Sequence, residues 1–142
     1  MIVADANLLL YALHADMPQH AAAKTWLEDC LNGEETLALS WVVVLAVVRL
    51  STNSKLFPAA LSVDEALAVV QAWLDHPMVH LIEPGSKHWS ILSNLLKQVG
   101  RAGNLTPDAH LAALAIEHRG EVHSCDSDFG RFPGLRFRNP LR

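Results

Sequence analysis

The apolar positions of this chain fall into short continuous runs alternating with stripes at helical spacing. Ile2-Val3-Ala4 is a run closed by Asp5, the pattern of a buried strand leading into a turn. Leu8, Leu9, Ala12 and Leu13 then recur as a helix would place them, and Ala22, Ala23, Trp26, Leu27 and Cys30 mark a second helix from His20 to about Leu31, with Gly33 just beyond it. Thr36 to Leu39 reads as a strand. The valines of Trp41 to Leu50 favour a strand by propensity, but Ser40 is a good helix N-cap, and the segment is read as a helix.

The same alternation continues to the end. Ser62 or Asp64 caps a helix with Leu67, Val70 and Leu74 on one face, and Pro77 stops it. Val79 to Ile82 is a strand. Trp89, Leu92, Leu95, Leu96 and Val99 line the next helix, ended by Gly100 and Gly103. Thr106 reads as the cap of a helix with Pro107 in its first turn, running through Leu111 and Leu114 toward Gly120. Glu121 to Ser124 is a last core strand, which ends at Cys125-Asp126. Strands alternating with helices predict a parallel sheet covered on both faces, with ligands beyond the carboxyl ends of its strands.

Composition narrows the class. With 142 residues, 51% hydrophobic and a net charge of -4, the chain is long enough for one domain with a buried core and too apolar for disorder. The apolar run from Trp41 to Val48 is too short to span a bilayer, and Asp5 stands where a leader would be positive. Cys30 and Cys125 suit neither a disulfide framework nor a zinc pattern, so a reduced, cytoplasmic setting without membrane attachment is expected. The mildly acidic balance excludes a polyanion binder held by bulk charge alone. Arg131, Arg136, Arg138 and Arg142 crowd the last twelve positions, either as a solvated basic tail or as a guide for a nucleic-acid backbone.

Asp5 and Asp126 end strands, Asp108 lies in a helix's first turn, and Asp128 follows Asp126 by two residues. Each alone has an ordinary explanation, as an Asx-turn or a partner of the helix dipole. Gathered at one sheet edge they would repel one another and raise one another's pKa, an arrangement a cation relieves. Hard oxygen ligands select Mg²⁺ or Mn²⁺, ions suited to phosphodiester chemistry. Asn7 either orients a carboxylate or a water there or caps the first helix, and Thr106 has the same double reading. The eight histidines form no metal motif. No dinucleotide fingerprint, phosphate-binding loop or Gly-x-Ser-x-Gly elbow is present.

Four segments, in order and reaching from the first residue almost to the last, resemble a known family. They are Met1-Ile2-Val3-Ala4-Asp5-Ala6-Asn7, the stretch from Leu39-Ser40-Trp41 to Arg49-Leu50-Ser51-Thr52-Asn53, the helix start Pro107-Asp108-Ala109-His110, and Ser124-Cys125-Asp126-Ser127-Asp128-Phe129 running on to Leu135. The sequence is similar to PIN-domain ribonucleases of the VapC toxin type, from type II toxin–antitoxin pairs. The resemblance implies a three-layer α/β/α sandwich on a mainly parallel sheet, with residues 1–142 as a single PIN-like nuclease domain. It also implies an acidic Mg²⁺ site (Mn²⁺ as the alternative) and endonucleolytic cleavage of RNA by a metal-activated water. By position, Asp5, Asp108 and Asp126 match the metal-binding acids and Asp128 an accessory acid, with Asn7 and Thr106 supporting.

The same resemblance implies a cognate antitoxin protein as partner and a homodimer. Arg131, Arg136 and Arg138 would guide the RNA backbone. One departure stands out: family members often carry Glu three residues before the central Arg, and here Ala46 holds that place ahead of Arg49. That loss puts a second metal in question and sustains the alternative of a catalytically weak RNA- or partner-binding module. A phosphotransfer site built on Asp5 is disfavoured, because the second acid or Thr expected just after such a nucleophile is missing.

Overall fold

The computed structural model describes residues 1–142. Five strands form one wholly parallel sheet: β1 (Ile2–Ala4), β2 (Leu37–Ser40), β3 (Val79–Ile82), β4 (Glu121–His123) and β5 (Phe137–Arg138), in spatial order β3-β2-β1-β4-β5. The helices are α1 (Ala6–Leu13), α2 (His20–Asn32), α3 (Trp41–Ser51), α4 (Val63–Asp75), α5 (His88–Val99) and α6 (Thr106–Glu117). α1 packs on α2 and α3, α3 on α4, and α5 on α6, completing a three-layer α/β/α sandwich. A sheet buried on both faces needs strands that are apolar throughout, not alternating. Val3, Ala4, Leu37, Ala38 and Leu39 meet that need and are essentially inaccessible. Neighbouring β4 approaches so closely that a Cβ at Gly120 would sit 2.8 Å from Val3 Cγ2.

The ambiguous central stretch is helical for a local reason. β2 ends at Ser40, whose hydroxyl accepts from Val43 N (3.4 Å), and Val43, Val44 and Val47 then turn one face to the core. Ser62, not Asp64, caps α4, through a reciprocal capping box with Glu65. Three expectations need correction. Asn7 does not cap α1, because Asp5 takes that position and accepts from Ala6 N (2.8 Å). Thr106 caps nothing: a 3-10 turn over Gly103–Leu105 runs straight into α6, and the cap position, Leu105, has no side-chain bond to give. Trp89 and Leu67 do not line the core, being 76% and 51% exposed. The short edge strand β5 was not anticipated. It pairs Phe137 with Val122 and Arg138 with His123, fixing the direction of the C-terminal arginines.

Candidate active site

The central strands β1 and β4 run side by side, so the segments leaving their carboxyl ends emerge together. The ladder continues one step beyond β1, with Asp5 N donating to His123 O at 3.0 Å. Ser124, fully buried directly after β4, joins the two segments. Its hydroxyl donates to Asp5 Oδ2 (2.6 Å) and accepts from Asn7 Nδ2 (3.1 Å) and Asp126 N (2.9 Å). Asn7 Oδ1 accepts in turn from Cys125 N (3.4 Å). Asn7 therefore works as a brace between α1 and the segment after β4. Asp126 Oδ1 accepts from Asp128 N (2.9 Å), the Asx-turn that starts a 3-10 turn over Ser127–Arg131 and swings the second acid back toward the first.

α6 supplies the third direction. Asp108, in its first turn, accepts no hydrogen bond from the protein and is only partly exposed. Carboxylate oxygens of Asp108, Asp126 and Asp128 lie within 4.8 Å of one another. Burial pushes the Asp108 carboxyl up to about 6, and the charges of Asp126, Asp5 and Asp128 add to this. Asp5 is also raised, mainly by burial, and the hydrogen bonds from Ser124 and Ala6 N oppose the shift. These are groups whose charges cost free energy where they stand. The donor set is entirely carboxylate oxygen, which fits a hard divalent cation and suits neither zinc nor copper.

The structure thus brings Asp108, Asp126 and Asp128 into one cluster, and Asp5, whose oxygens accept from Ala6 N and Ser124, lines the adjoining cavity with Asp108. Thr106 opens the helix that carries Asp108 and makes no side-chain hydrogen bond. The arginines separate. Arg131 stays at the site, its Nε 3.2 Å from Asp128 Oδ1. Arg136 donates to Arg119 O (2.7 Å), ahead of β4 and so at the opposite end of the sheet from the acids. Arg138 reaches back to Glu121 Oε1 (3.4 Å), at the start of β4. The geometry takes Arg136 and Arg138 away from the carboxylates.

Ser124 is the site residue that sequence reasoning missed. A hydroxyl at the end of an apolar strand, two residues before an acid, was the available signal. Two cavities flank the sheet. The larger, about 600 Å³, is lined by Trp26, Asp29, Glu34, Glu35 and His123 together with Ile2 and touches none of the cluster. The smaller, about 250 Å³, opens on Asp5 and Asp108.

Comparison with known proteins agrees with this architecture. The PIN domain family model matches residues 2–135. A Mycobacterium tuberculosis protein named Ribonuclease VapC37 is 44% identical over 140 residues, covering 99% of this chain and 97% of that protein. Ribonuclease VapC33 of the same species is 40% identical, over 100% of this chain and 99% of its own. Among solved structures, VapBC2 from Rickettsia felis, bound to a promoter DNA fragment, superposes with a TM-score of 0.70 at 20% identity, covering 97% of this chain and 98% of that one. The sarcin-ricin loop cleaving toxin VapC20 of M. tuberculosis gives 0.69 at 16%, covering 96% and 99%. A match over nearly the whole chain, to a family model and to full-length relatives alike, settles the kinship: this chain belongs to the PIN domain family and is of the VapC type.

Proposed function

We propose that residues 1–142 form a single nuclease domain, the toxin of a type II toxin–antitoxin pair, which cleaves RNA phosphodiesters with a divalent metal ion, Mg²⁺ or Mn²⁺. The observation that carries the reading is the cluster of Asp108, Asp126 and Asp128, within 4.8 Å and with one carboxyl raised to about 6. Such a site is costly empty and useful filled. Asp108, Asp126 and Asp128 would hold the ion, and Asp5, which lines the adjoining cavity with Asp108, would complete the acidic set. A divalent ion bound there would supply positive charge to a phosphodiester and lower the pKa of water, the chemistry of hydrolysis to a 5′-phosphate and a 3′-hydroxyl.

The protein's own part is positioning. Ser124 favours the charged form of Asp5 against the burial that disfavours it and fixes the Asp126 backbone, and Asn7 locks the two segments together. Arg131 restrains the Asp128 carboxylate on one side. The 34–44% identical relatives are named ribonucleases, and the Rickettsia and Haemophilus neighbours were solved as VapBC complexes. By that kinship the partner is an antitoxin, and Trp41, Val42 and Leu45, exposed on α3, offer apolar surface for it or for a second copy of the chain. No helix is long and apolar enough to cross a membrane, and the cytoplasm is the proposed location.

The test is incubation of the partner-free protein with total bacterial RNA, with Mg²⁺, with Mn²⁺ and with EDTA. Discrete fragments bearing 5′-phosphates, with metal only, are expected. Intact RNA under both metals, beside a folded protein, would move the reading to a binding module, with Ala46 as its cause.

A further inference from the structure

The cavity beside Asp5 and Asp108 has two chemically different sides. Asp5 and Asp108 supply one, with Leu111 a turn along α6 from Asp108, and Val42, Val43, Ala46 and Arg49 of α3 supply the other. Val42, Ala46 and Arg49 lie four and three residues apart on α3, so a single stripe of that helix faces the site. The aliphatic members leave an uncharged wall, and Val42 is 44% exposed with nothing covering it. Arg49 is exposed and makes no ion pair, in contrast to Arg131 and Arg138, which are both engaged by acids. A free guanidinium at the mouth of a half-apolar cavity suits a ligand that joins an anion to a flat hydrophobic body. A nucleotide is such a ligand.

Resting on the nuclease reading, we propose that this cavity seats one unpaired nucleotide of the RNA next to the cleaved bond. Arg49 takes a phosphate of that strand, and the base lies against Val42, Ala46 and Leu111. At about 250 Å³ the space lies just under the roughly 300–1,000 Å³ of drug-sized pockets, room for one ring system and not for a base pair. The guanidinium grips phosphate oxygens in pairs, which fixes the strand's register. The side chains at 42, 46 and 111 then decide which base is accepted.

Two readouts test this. Binding of a short unstructured oligoribonucleotide is measured in EDTA with Arg49→Gln, Ala46→Leu and the control Leu67→Ala, whose side chain is exposed on α4 and does not line the cavity. Arg49→Gln should weaken binding about tenfold, the size of one charge-assisted contact. Cleavage ends produced by the metal-loaded proteins are mapped in parallel. Ala46→Leu fills the cavity and should change the base preference at those ends about tenfold, as added methylenes do in a tight pocket. Leu67→Ala should change neither, and melting curves confirm that all the variants fold.

Wild-type-like binding and cleavage by both Arg49→Gln and Ala46→Leu would overturn the pocket and leave the nuclease reading standing. Absent cleavage by the wild type would remove the nuclease reading, and the binding arm would then decide whether the cavity holds a nucleotide.

Discussion

Asp108→Asn should abolish RNA cleavage and make the metal-free protein more stable. The loss of activity should reach about 10²–10³-fold or more, the size of removing one preorganised electrostatic group. The gain in stability follows from the same carboxylate. Its pKa is about 6 in the folded protein against an ordinary 3.8, because burial and then Asp126, Asp5 and Asp128 disfavour its charge. Between those two pH values the folded state binds the proton more tightly than the unfolded state. Stability carried by this group is therefore lost as pH rises from about 4 to about 6, and the deficit persists above.

Asn carries no charge to disfavour and escapes the loss. The displacement from 3.8 to about 6 corresponds to roughly 3 kcal/mol, which solvent screening of this partly exposed carboxylate cuts to about half. The helix dipole, favouring a charged first-turn residue by roughly 0.3–1 kcal/mol, offsets part of the rest, leaving about 1 kcal/mol at neutral pH. Melting curves of both proteins in EDTA from pH 4 to pH 7.5 provide the check. The difference between them should open across that interval and close toward pH 4. Added Mn²⁺ should stabilise the wild type and not the variant.

Ser124→Ala should be the most damaging single change outside the carboxylates. It deletes one buried hydroxyl and strands three partners: the Asp5 carboxylate, the Asn7 amide and the Asp126 N–H. Leaving such groups unsatisfied costs about 2–3 kcal/mol, readable by urea unfolding. A purely structural role would lower the amount of active protein without moving its pH dependence. Here the Ser124 hydrogen bond lowers an Asp5 pKa that burial raises, so its removal raises that pKa further. The acidic limb of the pH–rate profile should move to higher pH, with kcat falling more than KM changes.

The parts of the site legible in the sequence were those set by strand ends. Asp5 and Asp126 had to emerge together once β1 and β4 were both buried parallel strands, and Asp108 announced itself through Pro107 and the first turn of α6. What escaped was set by tertiary contact. Asp and Asn are equally good caps, and only the Ser124 hydroxyl and the brace to Cys125 decide that Asp5 caps while Asn7 ties. Thr106 lost its expected role because Gly103, at φ +56°, lets a 3-10 turn enter the helix without a side-chain cap. Two-residue β5 carries no periodicity to read, yet its pairing with β4 is what turns Arg136 and Arg138 from the acids. Arg49 drew notice as the residue three places after a missing Glu. Its place at a cavity needed the packing of α3 against the start of α6.

The central claim is that the cluster of Asp108, Asp126 and Asp128 holds the ion on which cleavage depends. Mn²⁺ titration followed by electron paramagnetic resonance, alongside cleavage of a labelled RNA at each concentration, addresses it directly. The account predicts saturable binding by the wild type, a cleavage rate that rises over the same Mn²⁺ range, and loss of both in Asp108→Asn. Cleavage that persists in EDTA, or Mn²⁺ binding that Asp108→Asn leaves intact, would contradict it.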